Sequence, residues 1–231
     1  MADVDRARDL LRESIARGEL RSGARIAEIP FATRLHVPRS VVREALRLLA
    51  VEGLVSIYRN RGAVVATFEP EDLLEVYALR AAIGSVALHK LMLSDAKDLG
   101  PLRQRLERVG QASRAADPIA AADADLGFQD CLIGLAELPR ARTVFATLTV
   151  QIKIVMRALD VQYSRPLPMI HRELEELLRA VQTGDARGAE RLWRNKLERS
   201  LKTFSDHLGD AEFDPSLWRL LTRGPRAISR R

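Results

Sequence analysis

The chain has one cysteine, Cys131, in 231 residues. This excludes an intramolecular disulfide and any multi-cysteine metal centre, and it fits a reducing compartment. No run of eighteen apolar residues occurs, and the opening MADVDRARDL is acidic and lacks the apolar stretch of a secretory leader. The expected setting is therefore cytoplasmic, with no membrane partner. Aromatic residues make up only 5% of the chain, too few for most β-sandwich cores, whereas recurrent Ala, Leu, Arg and Glu favour helices. Catalytic signatures are lacking as well: there is no HExxH, P-loop, GxGxxG or Ser-His-Asp order, and Asp123 and Asp125 stand two apart, on different helix faces. An enzyme is not expected.

What the chain does have is 47% apolar residues, enough for two cores, and a formal charge of +6 that is unevenly placed. Residues 1–68 hold twelve arginines and no lysine against eight acids, residues 69–214 are slightly acidic, and residues 215–231 hold five bases and no acid. A positive end is where a polyanionic partner is sought first.

Apolar residues at Val4, Ala7, Leu10, Leu11 and Ile15 describe a first helix, stopped by Gly18. GELRSGARI (18–26) reads as a turn, residues 30–35 as a short second helix, and His36-Val37-Pro38 as a tight break. Val42, Ala45, Leu46 and Leu49 line one face of a third helix over 39–52, closed by Gly53. Two β-branched runs, 55–58 and 63–67, flank Arg59-Asn60-Arg61-Gly62 and predict a hairpin. Beyond the acidic linker at 69–72, the punctuation predicts six helices near 70–93, 95–116, 118–136, 139–164, 166–183 and 185–209, which would form an antiparallel bundle. The tail after Asp214 reads as loosely ordered. The fold class is mainly α, a winged helix-turn-helix over 1–68 and an all-α antiparallel bundle over 69–231.

Three helices followed by a hairpin are the parts of a winged helix-turn-helix, whose third helix enters the major groove. Ser40, Arg43 and Arg47 fall on the face opposite Val42, Ala45 and Leu49, while Arg39 points out from the first turn. An arginine's planar fork can grip a guanine edge or a phosphate at two points, and its charge is permanent. Such a row can also be a solvated face with Glu44 as partner. The break before it and the arginine-tipped hairpin after it favour DNA.

RLHVPRSVVREALRLLAVEGLVSIYRNRGAVV, preceded by GELRSGARIAE, resembles the signature of the GntR regulator family. The resemblance places Arg34, Arg39, Ser40 and Arg43 at DNA-contacting positions and Arg61-Gly62 at the wing tip, beside Arg59; Pro38 stands where the family has Ser or Thr. VYALRAAI and ELEELLRAVQTGD resemble the helical FCD effector domain of the FadR branch over residues 70–205. Many members of that branch hold a divalent metal with an Asp and three His. Here the Asp is Asp125, but the His positions carry Gln129, Leu174 and Lys196, so neither metal nor other cofactor is expected. His171 is the one nearby imidazole; His36, His89 and His207 are scattered.

Lys196 is thus expected either to pair with Asp125 or to receive an anionic effector, with Arg80 as a second cation; Gln129 completes the candidate effector set. Lys196 could also simply snorkel from its helix. Cys131, Trp193 and Trp218 read as packing residues. The expected function is a ligand-responsive DNA-binding transcriptional regulator, a repressor, that recognises double-stranded operator DNA as a homodimer and senses a small anionic metabolite, a carboxylate or a phosphorylated compound. The competing class is an architectural DNA-binding protein without an effector.

Overall fold

The computed structural model describes residues 2–94, 98–158, 166–208 and 214–223. They divide into two compact units, one of residues 1–69 with 147–160 and one of residues 70–146 with 161–231. The sequence suggests a single boundary at 68, but residues 147–160 cluster with the first unit.

In the first unit, α1 (Ala2–Ala16) buries Ala7, Leu11 and Ile15 and carries Asp3 and Asp5 in its first turn, where they complement the helix dipole. The next helix, α2 (Glu28–Leu35), starts two residues before the predicted position, since Pro30 sits in its first turn, where no backbone donor is required. His36 ends it in the left-handed region (φ 54°), and Val37 N donates to Ala32 O at 3.1 Å. The tight break thereby becomes a helix cap. Helix α3 (Arg39–Val51) buries Val42, Ala45, Leu46 and Leu49. Beyond it Gly53 takes φ 69°, and Leu54 N reaches back to Leu49 O at 2.9 Å.

The GELRSGARI segment is more than a turn. Its Arg25–Ile26 form a strand, β1, paired antiparallel with β3 (Gly62–Val65), which pairs in turn with β2 (Val55–Tyr58). Two residues are too short for a period of two to be visible in sequence. The wing tip closes over residues 59–61, with Gly62 at φ 73° opposite Tyr58.

The core of this unit joins α1, α3 and the sheet to Val150 and Ile154, from the later half of α7 (Pro139–Ala158). Two side chains from the same stretch satisfy carbonyls at helix ends, which otherwise lack donors. Gln151 Nε2 donates to Glu52 O at 3.2 Å, and Arg157 Nε donates to Ala16 O at 2.8 Å. Arg12 of α1 also pairs with Glu52.

The second unit contains α4 (Pro70–Met92), α5 (Gly100–Arg114), α6 (Pro118–Leu135), the first half of α7, α8 (Leu167–Thr183), α9 (Ala186–Leu208) and α10 (Pro215–Arg223). Helix α4 packs on α9, α9 on α8, α8 on α5, α5 on α6 and α6 on α4, so five helices close a ring around the core. Turn chemistry sets the ends. Asp117 Oδ1 accepts from Ala120 N at 2.9 Å ahead of Pro118, and Gly184 caps α8 at φ 73° before Asp185 Oδ1 accepts from Gly188 N. Helix α5 starts at Gly100, five residues after the predicted start, with Pro101 in its first turn. Residues 159–164, expected to extend α7, and Arg230-Arg231 of the basic tail lie outside the described residues.

The stretch after Asp214 is not loosely ordered throughout. It forms α10, packed on α4 with Trp218 fully buried. Trp193 of α9 is also fully buried, and its Nε1 donates to Arg80 O at 3.4 Å. A Cβ built at Gly84 would lie 2.1 Å from the Trp193 ring, so Gly84 is where α4 and α9 approach most demandingly. Gly84→Ala is expected to destabilise by about 1–3 kcal/mol through overpacking, although alanine is the better helix former. Chemical denaturation of the two proteins measures this.

Candidate DNA-binding face and effector cluster

All eight residues expected to meet DNA are exposed: Arg34, Arg39, Ser40, Arg43, Arg47, Arg59, Arg61 and Gly62. Arg39 and Ser40 open α3, Arg43 and Arg47 follow at one-turn intervals, and Arg59, Arg61 and Gly62 form the wing tip. Pro38 precedes the helix at φ −59° and supplies no side-chain cap; its carbonyl accepts from Val41 N at 3.0 Å instead.

The structure adds a residue that the pattern reading did not single out. Glu28, first in α2, grips Arg43 at two points, with Nε to Oε1 at 3.0 Å and the terminal nitrogen to Oε2 at 2.9 Å. Its Oε2 also accepts from Arg39 at 3.3 Å. The hydrogen bond from Arg43 holds the Glu28 carboxyl below its ordinary range, and burial opposes this. Glu28 was present in GELRSGARIAE, but the pairing spans two helices and leaves no periodic signal. Arg47 pairs with Glu44 at 3.0 Å. Among the described residues Arg34, Arg59 and Arg61 form no ion pair, which leaves their charge available to phosphates.

In the second unit the four candidate effector residues come together and are buried: Arg80 at 0%, Asp125 at 1%, Gln129 at 3% and Lys196 at 2% exposure. Lys196 Nζ donates to Asp125 Oδ2 at 2.7 Å. Gln129, one turn after Asp125, donates to Asp125 Oδ1 at 3.0 Å and accepts from Arg80 at 2.8 Å. The Arg80 guanidinium lies 3.9 Å from the centroid of the Phe145 ring, a cation–π contact made in an apolar setting. Lys196 therefore does not snorkel to solvent; it is an ion-pair partner inside the bundle. Nearby, burial pushes the Tyr77 hydroxyl far above its ordinary range.

A divalent cation does not fit this set. Both Asp125 oxygens carry donors, one of them an ammonium that would repel a metal, and the Leu174 position is apolar and fully buried. His171 faces elsewhere: a Cβ at Gly110 of α5 would lie 3.1 Å from its Nε2. Among the described residues no three His, Cys, Asp or Glu side chains gather as ligands. Cys131 is partly buried, and desolvation raises its thiol pKa against the pull of Arg105. Among the described residues no helix is long and apolar enough to cross a membrane.

The fold recurs in known proteins. A solved structure from Rhodococcus sp. RHA1, described as a transcriptional regulator GntR, superposes with a TM-score of 0.76 over 92% of this chain and all of that one; at 24% identity it shows the shared fold. An HTH-type transcriptional regulator from the TAR-I ttuE-ttuC' intergenic region of Agrobacterium vitis is 29% identical over 137 residues, 58% of this chain and 80% of the relative. The gluconate operon transcriptional repressor of Bacillus subtilis (strain 168) is 31% identical over 122 residues, 53% of this chain and 48% of that protein. Residues 4–65 match the bacterial regulatory proteins of the gntR family, and residues 75–199 match the FCD domain. With its arginine-lined winged helix and its helical second unit, the chain belongs to the GntR family and carries an FCD domain.

Proposed function

We propose that the chain regulates transcription as a homodimer in the cytoplasm, each winged helix taking half of a near-palindromic operator, and that a small carboxylate bound by the FCD domain alters operator affinity. The observation that carries this reading is the exposed array from Arg34 to Gly62. Six arginines and a serine on α2, α3 and the wing tip project from one compact unit, with Arg39 and Arg43 already held by Glu28. The named repressor among its relatives supports repression as the direction of control. Arg80, Asp125, Gln129 and Lys196 form the proposed effector set, in which two cations supply the positive charge that a metal supplies elsewhere in the branch.

The test is a gel shift with the DNA upstream of the chain's own coding region, repeated across a panel of small acids with a chelator control. Release by one acid, unaffected by chelation, supports the reading. Equal binding to all DNA with a steep salt dependence and no response to any acid would instead identify an architectural protein.

Glu28→Gln is expected to lower discrimination between operator and random DNA while raising non-specific affinity, because it frees two arginines and removes a negative charge from the DNA-facing side. Anisotropy titrations against both DNAs measure the ratio. Since the Glu28 pKa is depressed in the folded chain, the stability it contributes is complete above the ordinary carboxylate range and is lost only as pH falls through its folded value. Operator selectivity is accordingly expected to stay flat between about pH 6 and 8.

A further inference from the structure

A groove of about 490 Å³ opens between α5, α6 and α7, and none of the eight DNA-facing residues lines it. Its α6 wall carries Gly127, Cys131 and Gly134 at helical spacing on one face. The two glycines create the depth. A Cβ at Gly134 would meet nothing within 4 Å, and one at Gly127 would sit 3.4 Å from the Arg105 guanidinium. Phe145 lines the groove, and the same ring carries Arg80 at 3.9 Å. Two cations border the space, Arg105 from α5 and Arg142 from α7, and among the described residues neither is ion-paired. One acid, Asp130, also lines it and has contacts of its own.

We infer that this groove is a ligand site for a small monocarboxylate with an apolar body. The volume lies in the range of small-molecule pockets, which combine an apolar lining with a few charged groups that orient the ligand. Arg105 or Arg142 takes the carboxylate as a charge-assisted pair, and the body lies against Leu135, Ala146 and the glycine face, over a floor formed by Phe145, itself only 1% exposed. A fully hydrated anion would leave that apolar surface unused. The inference rests on the reading of the FCD domain as the ligand-sensing part and adds a ligand position on the Gly127, Cys131 and Gly134 face of α6, separate from the buried cluster of Arg80, Asp125, Gln129 and Lys196. Contact with Phe145 places it beside Arg80, and Arg142 and Phe145 stand on α7, the helix whose later residues 150 and 154 lie in the winged-helix core.

Cys131 is the only thiol in the chain and lines the groove, so it reports occupancy without DNA. The test follows its alkylation by N-ethylmaleimide in the full chain during titration with benzoate, with inorganic phosphate and benzyl alcohol as controls. Benzoate is expected to slow labelling about tenfold once its concentration reaches ten times its Kd, and the controls are expected to leave the rate unchanged. The double variant Arg105→Met/Arg142→Met is expected to lose the protection. Gly134→Leu, which adds a side chain to open space, is expected to slow labelling with no ligand present. Thermal melts matching the parent show that the variants fold, and the single Arg142→Met, at an exposed position, serves if the double variant does not.

Four results overturn the inference: no protection by benzoate, protection that survives loss of both arginines, equal protection by phosphate, or a Cys131 that does not react in the ligand-free protein. None of these bears on whether an acid releases operator DNA, so failure of the groove and failure of the regulatory reading are separable.

Discussion

Replacing Arg43 with alanine is expected to weaken operator binding by about 10- to 100-fold per half-site, the cost of one two-point contact to a base edge. In a two-fold complex the loss occurs twice. Arg43 is the most constrained cation on the DNA-facing side, since Glu28 fixes its guanidinium at both Nε and a terminal nitrogen. That fixing removes rotamer freedom before DNA arrives, so little is lost on binding. Arg43→Lys is expected to restore charge but not affinity, because an ammonium cannot make the planar two-point contact. Non-specific binding should fall far less in both variants. The thermal melt should move only slightly, since the side chain is exposed and supports no core and the ion pair it makes with Glu28 is a surface one. Anisotropy titrations on operator and random DNA, paired with melting curves, distinguish a lost contact from a damaged fold.

Lys196→Met is expected to destabilise the FCD domain by about 3–5 kcal/mol, the range for removing one member of a buried ion pair. Asp125 would keep the Gln129 donor but lose the ammonium at 2.7 Å. The double variant Asp125→Leu/Lys196→Met is expected to recover most of that loss, because two apolar side chains leave no charge to compensate. A double-mutant cycle read by chemical denaturation isolates the pair energy. If the single variant were as stable as the parent, the buried pair would not be a structural tie.

The helical punctuation was legible because Pro, Asp and Gly act locally. Asp117-Pro118 and Gly184-Asp185 lie at helix boundaries, where a side-chain acceptor or a positive φ is required within a few residues. The exposure of Arg39, Arg43 and Arg47 was legible for the same reason, since an apolar face at Val42, Ala45 and Leu49 dictates what points away from it. Helix α10 and strand β1 escaped because each is short and gains its order from a distant partner, α4 for Trp218 and β3 for Arg25 and Ile26. The later half of α7 reads in sequence like any other stretch of helix. Only the core it enters, through Val150 and Ile154, assigns it to the winged-helix unit.

Few aromatics, no long apolar run, the apolar periodicity and the contiguous arginine-bearing motif from Arg34 to Gly62 determined in sequence the fold class and the winged-helix half. Those properties depend on local periodicity and on contiguous motifs. Tertiary structure alone decided how the charges are partnered: Glu28 with Arg43 and Arg39, Lys196 with Asp125, and Arg80 with Gln129 and Phe145. Except for the one-turn step between Asp125 and Gln129, these partners come from different helices, and no spacing along a chain encodes which helix will stand opposite another. Burial then sets the strength of each interaction, because the same ammonium and carboxylate that contribute little in water are tightly coupled where both are excluded from it.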